Sequence, residues 1–295
     1  MKPGLLRTLS IFGAFVAGAL VPGAAEWAWT IRWLVMGMLF ITFLQVRLSR
    51  SSLTFSHIIL LAANLLMGLA GFALGSLTGQ YDLALAAFFI GITPTAAAAP
   101  VVMGFLRGKV EYVIIAFLLT NVVVAALLPV LLPIVLGVTT SGLFLHVAQN
   151  VGLLVFAPLL AALTVRKLHR RATHWPSKLR DVSFGMWVVA LFLVIANATD
   201  SFRRKFATEP MLLVELGALS LLLCAINFAL GAWIGGKEYR REASQSLGQK
   251  NNTFTIYLAI VYANPIVALG PTFYVLWHNL WNSLQLYWAE KHPRK

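Results

Sequence analysis

The stretch Thr93-Pro94-Thr95-Ala96-Ala97-Ala98-Ala99-Pro100 breaks an apolar segment in its middle. A second stretch, Ser246-Leu247-Gly248-Gln249-Lys250-Asn251-Asn252-Thr253, breaks another about half a chain later. Bilayer hydrocarbon holds no water for free backbone N–H and C=O groups, so non-helical backbone persists there only inside protein or along a wet cavity. Matched interruptions in the two halves of a membrane chain mark a secondary transporter's binding site. The breaks are therefore expected to cross near the bilayer midplane. The half-helices that follow them would present N-terminal partial positive charge to an anion.

The rest of the chain fits a membrane setting. Of its 295 residues 59% are hydrophobic and 11% charged, with a mean hydropathy of +0.81; soluble domains carry about 25% charged residues. The formal charge of +13 does not point to nucleic acid, because nearly all Lys and Arg sit in short stretches between apolar runs. The lone Cys224 excludes a disulfide and a cysteine metal site. No phosphate-binding glycine loop, serine-nucleophile elbow or zinc-ligand spacing stands out, so the chain reads as no enzyme.

About 20 apolar residues cross a bilayer. That length gives ten spans: 5–22, 27–46, 54–76, 82–106, 110–136, 144–165, 182–199, 210–235, 243–263 and 266–289. The first is read as a span and not as a cleaved signal peptide, because polytopic sequence follows it. Eighteen of the 23 Lys and Arg then fall on one side, three on the other (Arg203, Arg204 and Lys205), and two, Arg32 and Lys250, within spans. Positive charge collects on the cytoplasmic side, so both termini are expected there, in a bacterial inner membrane. The basic stretch from Arg166 to Arg180 is suited to anionic lipid headgroups. The predicted fold is an all-α polytopic membrane protein of ten transmembrane helices. These form two inverted five-helix repeats, 1–150 and 151–295, each with a broken crossing helix in its fourth span. Odd numbers of crossings force the halves to face opposite ways.

Lys250 is the outstanding residue. An ionisable side chain in mid-span costs roughly 2.5–3.5 kcal/mol on insertion scales and is functional by default. The acids sit in loops or near span ends, with Glu215 about a turn inside the eighth span, so no central carboxylate is available to a hard cation. Neutral polar residues are better supplied. Asn64, Thr120, Asn121, Asn227, Asn251, Asn252, Thr253, Thr255, His278, Asn279, Asn282 and Ser283 all interrupt apolar runs. Such residues can act as ligands, or simply hold helices together at about 0.6 kcal/mol each.

Together these residues suggest a family. Gly91-Ile92-Thr93-Pro94 through Pro100-Val101-Val102, followed by Arg107-Gly108-Lys109-Val110, resembles the fourth-span crossover of the bile acid:sodium symporter family. Gly248-Gln249-Lys250-Asn251 resembles its ninth-span crossover, and Trp277-His278-Asn279 a motif of its last span. The resemblance covers essentially the whole chain. It implies a panel domain from spans 1, 2, 6 and 7 and a core domain from spans 3–5 and 8–10, with substrate between them. It also implies sodium-coupled uptake of an amphipathic organic anion. The sequence departs from the family at the ion sites. The family's Ser-Asn pair falls on Ala99 and Pro100, its glutamate on Ser246, its following glutamine on Lys250, and its fifth-span oxygens on Val113 and Phe117. Asn64 stands near the position of a third-span glutamine.

An ammonium has the charge of sodium and three donors, so Lys250 could replace the bound ion. The leading expectation is a secondary transporter of small organic anions with Lys250 in that role, driven by protons or working as a uniporter. A sodium symporter would instead rely on Asn64, Thr120, Asn121, Ser246 and backbone carbonyls. A non-transporting receptor or scaffold is the third reading. The crossover set is Thr93, Pro94, Thr95, Pro100, Gly248, Gln249, Lys250, Asn251, Asn252 and Thr253, with Asn227, His278 and Asn279 as further core polar residues. The expected partners are a small organic anion and the bilayer, with no nucleic acid. No cofactor is expected beyond the open question of sodium, and the oligomeric state is not legible.

Overall fold

A computed structural model of the protein describes residues 3–44, 53–138, 140–169, 172, 174–201, 203 and 210–291. The basic residues Lys2, Arg47, Arg50, Arg170, Arg171, Arg204, Lys205, Arg294 and Lys295, used above to orient the chain, lie outside them. The described residues are mostly helical, without strands: α1 Pro3–Leu20, a 3-10 segment Pro22–Thr30, α2 Ile31–Phe43, α3 Phe55–Ser76, α4 Tyr81–Ile92, α5 Ala99–Phe105, α6 Val110–Val135, α7 Ser141–Leu168, α8 Trp175–Lys178, α9 Arg180–Ser201, α10 Pro210–Gly235, α11 Arg240–Gly248, α12 Asn252–Tyr262 and α13 Leu269–Lys291. The protein is an all-α membrane protein.

Among the described residues five helices are long and apolar enough to cross a bilayer: α3, α6, α7, α9 and α10. α1 and α2 meet that standard only as a pair, bent by 114° where Pro22 opens the 3-10 segment. The other predicted spans fall on α4 with α5, on α11 with α12, and on α13. The first two are cut short by their breaks. In α13 the polar His278, Asn279, Asn282 and Ser283 dilute the apolar run.

The breaks have local causes. A proline disfavours α geometry in the residue before it, and Thr93, before Pro94, turns extended at ψ 125° and ends α4. Pro100 sits in the first turn of α5, where its missing N–H has no helical acceptor to lose. The first break is therefore 93–98, and the expectation that Pro100 belongs to it is corrected. The second break is narrower than expected. Ser246 and Gly248 still lie in α11, Asn252 and Thr253 already lie in α12, and Gln249 leaves the helix at ψ 98°. The Ser246 hydroxyl donates to the Glu242 carbonyl at 2.7 Å, so it turns back along α11.

Packing sorts the helices into two groups. α1, α2, α7 and α9 pack on one another with the 3-10 segment, whereas α3, α4, α5, α6, α10, α11 and α13 form a second set of contacts. α6 also packs on α7, and α12 meets α13 and α4 on one side and α2 and α9 on the other. The close approach of α3 and α4 depends on Gly91, because a Cβ there would run into the Met67 carbonyl.

Candidate ion and substrate site

The two breaks meet. Thr95 and Lys250 form an antiparallel bridge, in which the Ala96 N–H donates to the Gln249 carbonyl at 2.7 Å and the Asn251 N–H to the Pro94 carbonyl at 2.7 Å. Each break thus supplies partners that the other lost on leaving its helix, as buried backbone requires. Pro94 donates nothing, yet its carbonyl still anchors the opposite break.

Thr95 is pinned on every side. Its N–H donates to the Thr120 hydroxyl at 3.1 Å, its carbonyl accepts from Asn121 Nδ2 at 2.9 Å, and its own hydroxyl donates to the Ser246 carbonyl at 2.6 Å. The Thr120 hydroxyl reaches the Ala116 carbonyl at 2.8 Å, and Asn121 Nδ2 also reaches that of Phe117 at 2.8 Å. Asn251 Nδ2 approaches Asn121 Oδ1 at 3.4 Å. Beside them the Thr93 hydroxyl donates to the Phe89 carbonyl and lies 2.7 Å from that of Thr255. Thr120 and Asn121, expected as ion ligands, are thus committed to the broken backbone. Ser246 faces the crossing through its carbonyl, with its hydroxyl turned into its own helix.

Lys250 is 1% exposed. Its Nζ donates to Asn64 Oδ1 at 2.5 Å and to the Gly91 carbonyl at 3.0 Å, while Asn64 Nδ2 donates to the neighbouring Ile92 carbonyl at 3.0 Å. One amide side chain therefore joins the ammonium to the C-terminal end of α4. Free carbonyls at a helix C-terminus carry partial negative charge and favour a cation. Both acceptors of Lys250 are neutral. Glu242, the acid nearest in sequence, is turned away and accepts the Lys109 N–H at 2.8 Å.

A second polar patch lies on the α13 side. Tyr274 donates to the Gly248 carbonyl at 2.8 Å, and Gln245 Nε2 reaches Gln249 Oε1 and, at 2.9 Å, Asn282 Oδ1. Asn252 Nδ2 and His278 Nδ1 are 3.4 Å apart. Gln245 Oε1, Asn252 Oδ1 and Asn282 Nδ2 are buried without a hydrogen-bond partner among the described residues. Asn227 and Asn279 donate to carbonyls of their own helices, Leu223 at 2.8 Å and Val275 at 2.7 Å, and Asn227 Oδ1 is likewise buried without a partner among the described residues. Thr253 is buried at the start of α12.

Sequence reasoning missed Gly91, whose contribution is a carbonyl, and Gln245, which reads as part of an ordinary polar helix. It noted Arg32 as intramembrane without giving it a role. No protein-family model matches the chain, and no curated protein matches it.

Proposed function

We propose that this protein is a secondary transporter of small organic anions, with the Lys250 ammonium as a resident cation where a bile acid:sodium symporter would bind sodium. The observation that carries this reading is the pair of crossed breaks with a buried lysine between them. Crossed half-helices serve alternating access because backbone groups at the crossing can face a ligand. A scaffold has no use for them. The grouping of α1, α2, α7 and α9 against the helices that hold the crossing supports the panel-and-core arrangement implied by the resemblance. Ten spans in two inverted repeats, with both termini cytoplasmic in an inner membrane, belong to the same proposal.

Sodium fits this arrangement poorly. It would need several oxygens around one point, and the side-chain oxygens of Thr95 and Thr120 are taken up by the crossing. Asn64 Oδ1 and the Gly91 carbonyl already hold an ammonium. The transport cycle is therefore sodium-independent, and no cofactor is needed.

The test is uptake into proteoliposomes across a library of organic anions, with sodium and pH gradients imposed separately. Uptake of at least one anion without sodium supports the reading. Binding without uptake under every gradient would assign the protein to the receptor class.

A further inference from the structure

The polar patch on the α13 side of the crossing has more hydrogen-bonding atoms than partners. Tyr274, His278 and Asn282 recur every fourth residue on α13 and so share one face. Gln245 and Gln249 approach that face from α11 and the residue after it, and Asn252 from the start of α12. All six side chains are 0–6% exposed. They form a connected set. Gln245 Nε2 donates to Gln249 Oε1 and, at 2.9 Å, to Asn282 Oδ1. Asn252 Nδ2 lies 3.4 Å from His278 Nδ1, and the His278 and Tyr274 rings meet edge-on at 5.7 Å between centroids. Tyr274 closes the set by donating to the Gly248 carbonyl at 2.8 Å.

Three amides of this set are only half used. Gln245 Oε1, Asn252 Oδ1 and Asn282 Nδ2 are buried without a partner among the described residues. Turning these amides over changes which atom is idle and leaves the number of idle atoms the same. The idle atoms include both acceptors and a donor, and that mixture selects the ligand. A cation serves only the oxygens and an anion only the N–H group, whereas water donates and accepts. No carboxylate stands among the six side chains to hold a cation. Buried water takes up such idle groups, with about two to four polar contacts for each molecule.

We propose that Gln245, Asn252, His278 and Asn282 form an enclosed site for a small cluster of bound water between α11, α12 and α13. The water is part of the second break, on the side away from the Asn64 amide that holds Lys250. Bound water changes partners readily, so the break can shift against α13 without leaving these buried amides unpaired. The site does not depend on the transport reading.

The test is hydroxyl-radical footprinting of full-length protein in phosphatidylcholine nanodiscs and choline buffer, read by mass spectrometry. X-ray radiolysis splits bound water in place, whereas peroxide photolysis makes its radicals in bulk solvent. After correction for intrinsic reactivity, X-rays should oxidise Tyr274 and His278 several-fold faster than Phe88, Phe89 and Phe117, which are buried among apolar side chains. Photolysis should leave all five near background while it labels the exposed Tyr81. Gln245→Leu combined with Asn282→Leu replaces both partners of one bond by apolar groups, which is close to neutral for stability. This variant should melt near wild type and lose X-ray labelling of His278 several-fold. If it does not fold, the two radical sources applied to the wild type decide alone. X-ray labelling of Tyr274 and His278 no faster than that of the phenylalanines would show a dry seam and overturn the site. So would equal labelling by photolysis, which would make it an open cavity. Labelling that falls when sodium or potassium replaces choline would make the occupant a cation and overturn it too. Unchanged labelling in the folded double variant would overturn the assignment of the amides that hold the water.

Discussion

Lys250 and Asn64, 186 residues apart in sequence, are joined by a hydrogen bond of 2.5 Å that ties the second break to α3. Asn64 also donates to the Ile92 carbonyl at 3.0 Å, so this amide both stabilises the ammonium and caps the end of α4. The break in one half of the chain is thus completed by a cation supplied from the other.

Removing either partner should destabilise the crossing. Lys250→Ala leaves Asn64 Oδ1 and the Gly91 carbonyl buried without a donor, at about 1–3 kcal/mol for each orphaned group. Asn64→Ala strands the ammonium and should cost a similar amount or more. Because the two residues act as a unit, the double variant should lose less than the sum of the single losses. Melting temperatures of the four proteins in one detergent check this, and simple additivity would count against the pairing.

Gly248→Ala tests the second break by packing alone. A Cβ at that position would strike the Phe228 ring, and α10 and α11 are in close contact there. Overpacking of this kind costs about 1–3 kcal/mol. Combining it with Phe228→Leu should recover part of the loss in a thermal melt. A single variant as stable as wild type would show that the contact yields freely.

The start of α11 and the turn before it offer a contrast between two acids. Glu242 is buried and accepts the Lys109 N–H at 2.8 Å. Glu238 and Lys109 form an exposed pair at 3.3 Å. Glu242→Ala should lower the melting temperature clearly, whereas Glu238→Gln should change it little, as exposed pairs do. Tyr239 and Lys109 hold the Glu238 carboxyl below its ordinary range. Whatever that pair contributes is therefore present at neutral pH and lost as pH falls through the carboxyl's folded value. The difference between wild type and Glu238→Gln should shrink on acidification; growth of the difference would contradict the assignment.

Much of this architecture is written in hydropathy. Pro94 marks the first break because a proline acts on its own neighbours, and such local rules survive any tertiary context. The extent of the second break is less legible, because no proline marks it and Gly248, a poor helix former, still lies in α11. The pairing of Ala96 with Gln249 and of Asn251 with Pro94 is backbone chemistry, to which side-chain identity offers no guide. Asn64 and Lys250 could each be recognised as a polar residue in an apolar run. That one serves the other follows only when α3 and α4 are packed through Gly91.

If Lys250 carries a proton during the cycle, transport should respond to an imposed pH gradient. Lys250→Arg keeps a positive charge but cannot release its proton. The variant should then retain binding while its pH response disappears, read as organic-anion uptake with and without a pH jump. A response identical to wild type would leave Lys250 a fixed cation and put the proton coupling on another group, whereas a wild type without any pH response would be a uniporter.

The central claim is that an ammonium stands in for sodium, and uptake in sodium against choline buffer tests it most directly. Wild-type protein in proteoliposomes should take up its organic-anion substrate at the same rate in either buffer, and Lys250→Ala should be poorly active in both. A steep sodium dependence of the wild type would contradict the account, as would unchanged uptake by Lys250→Ala.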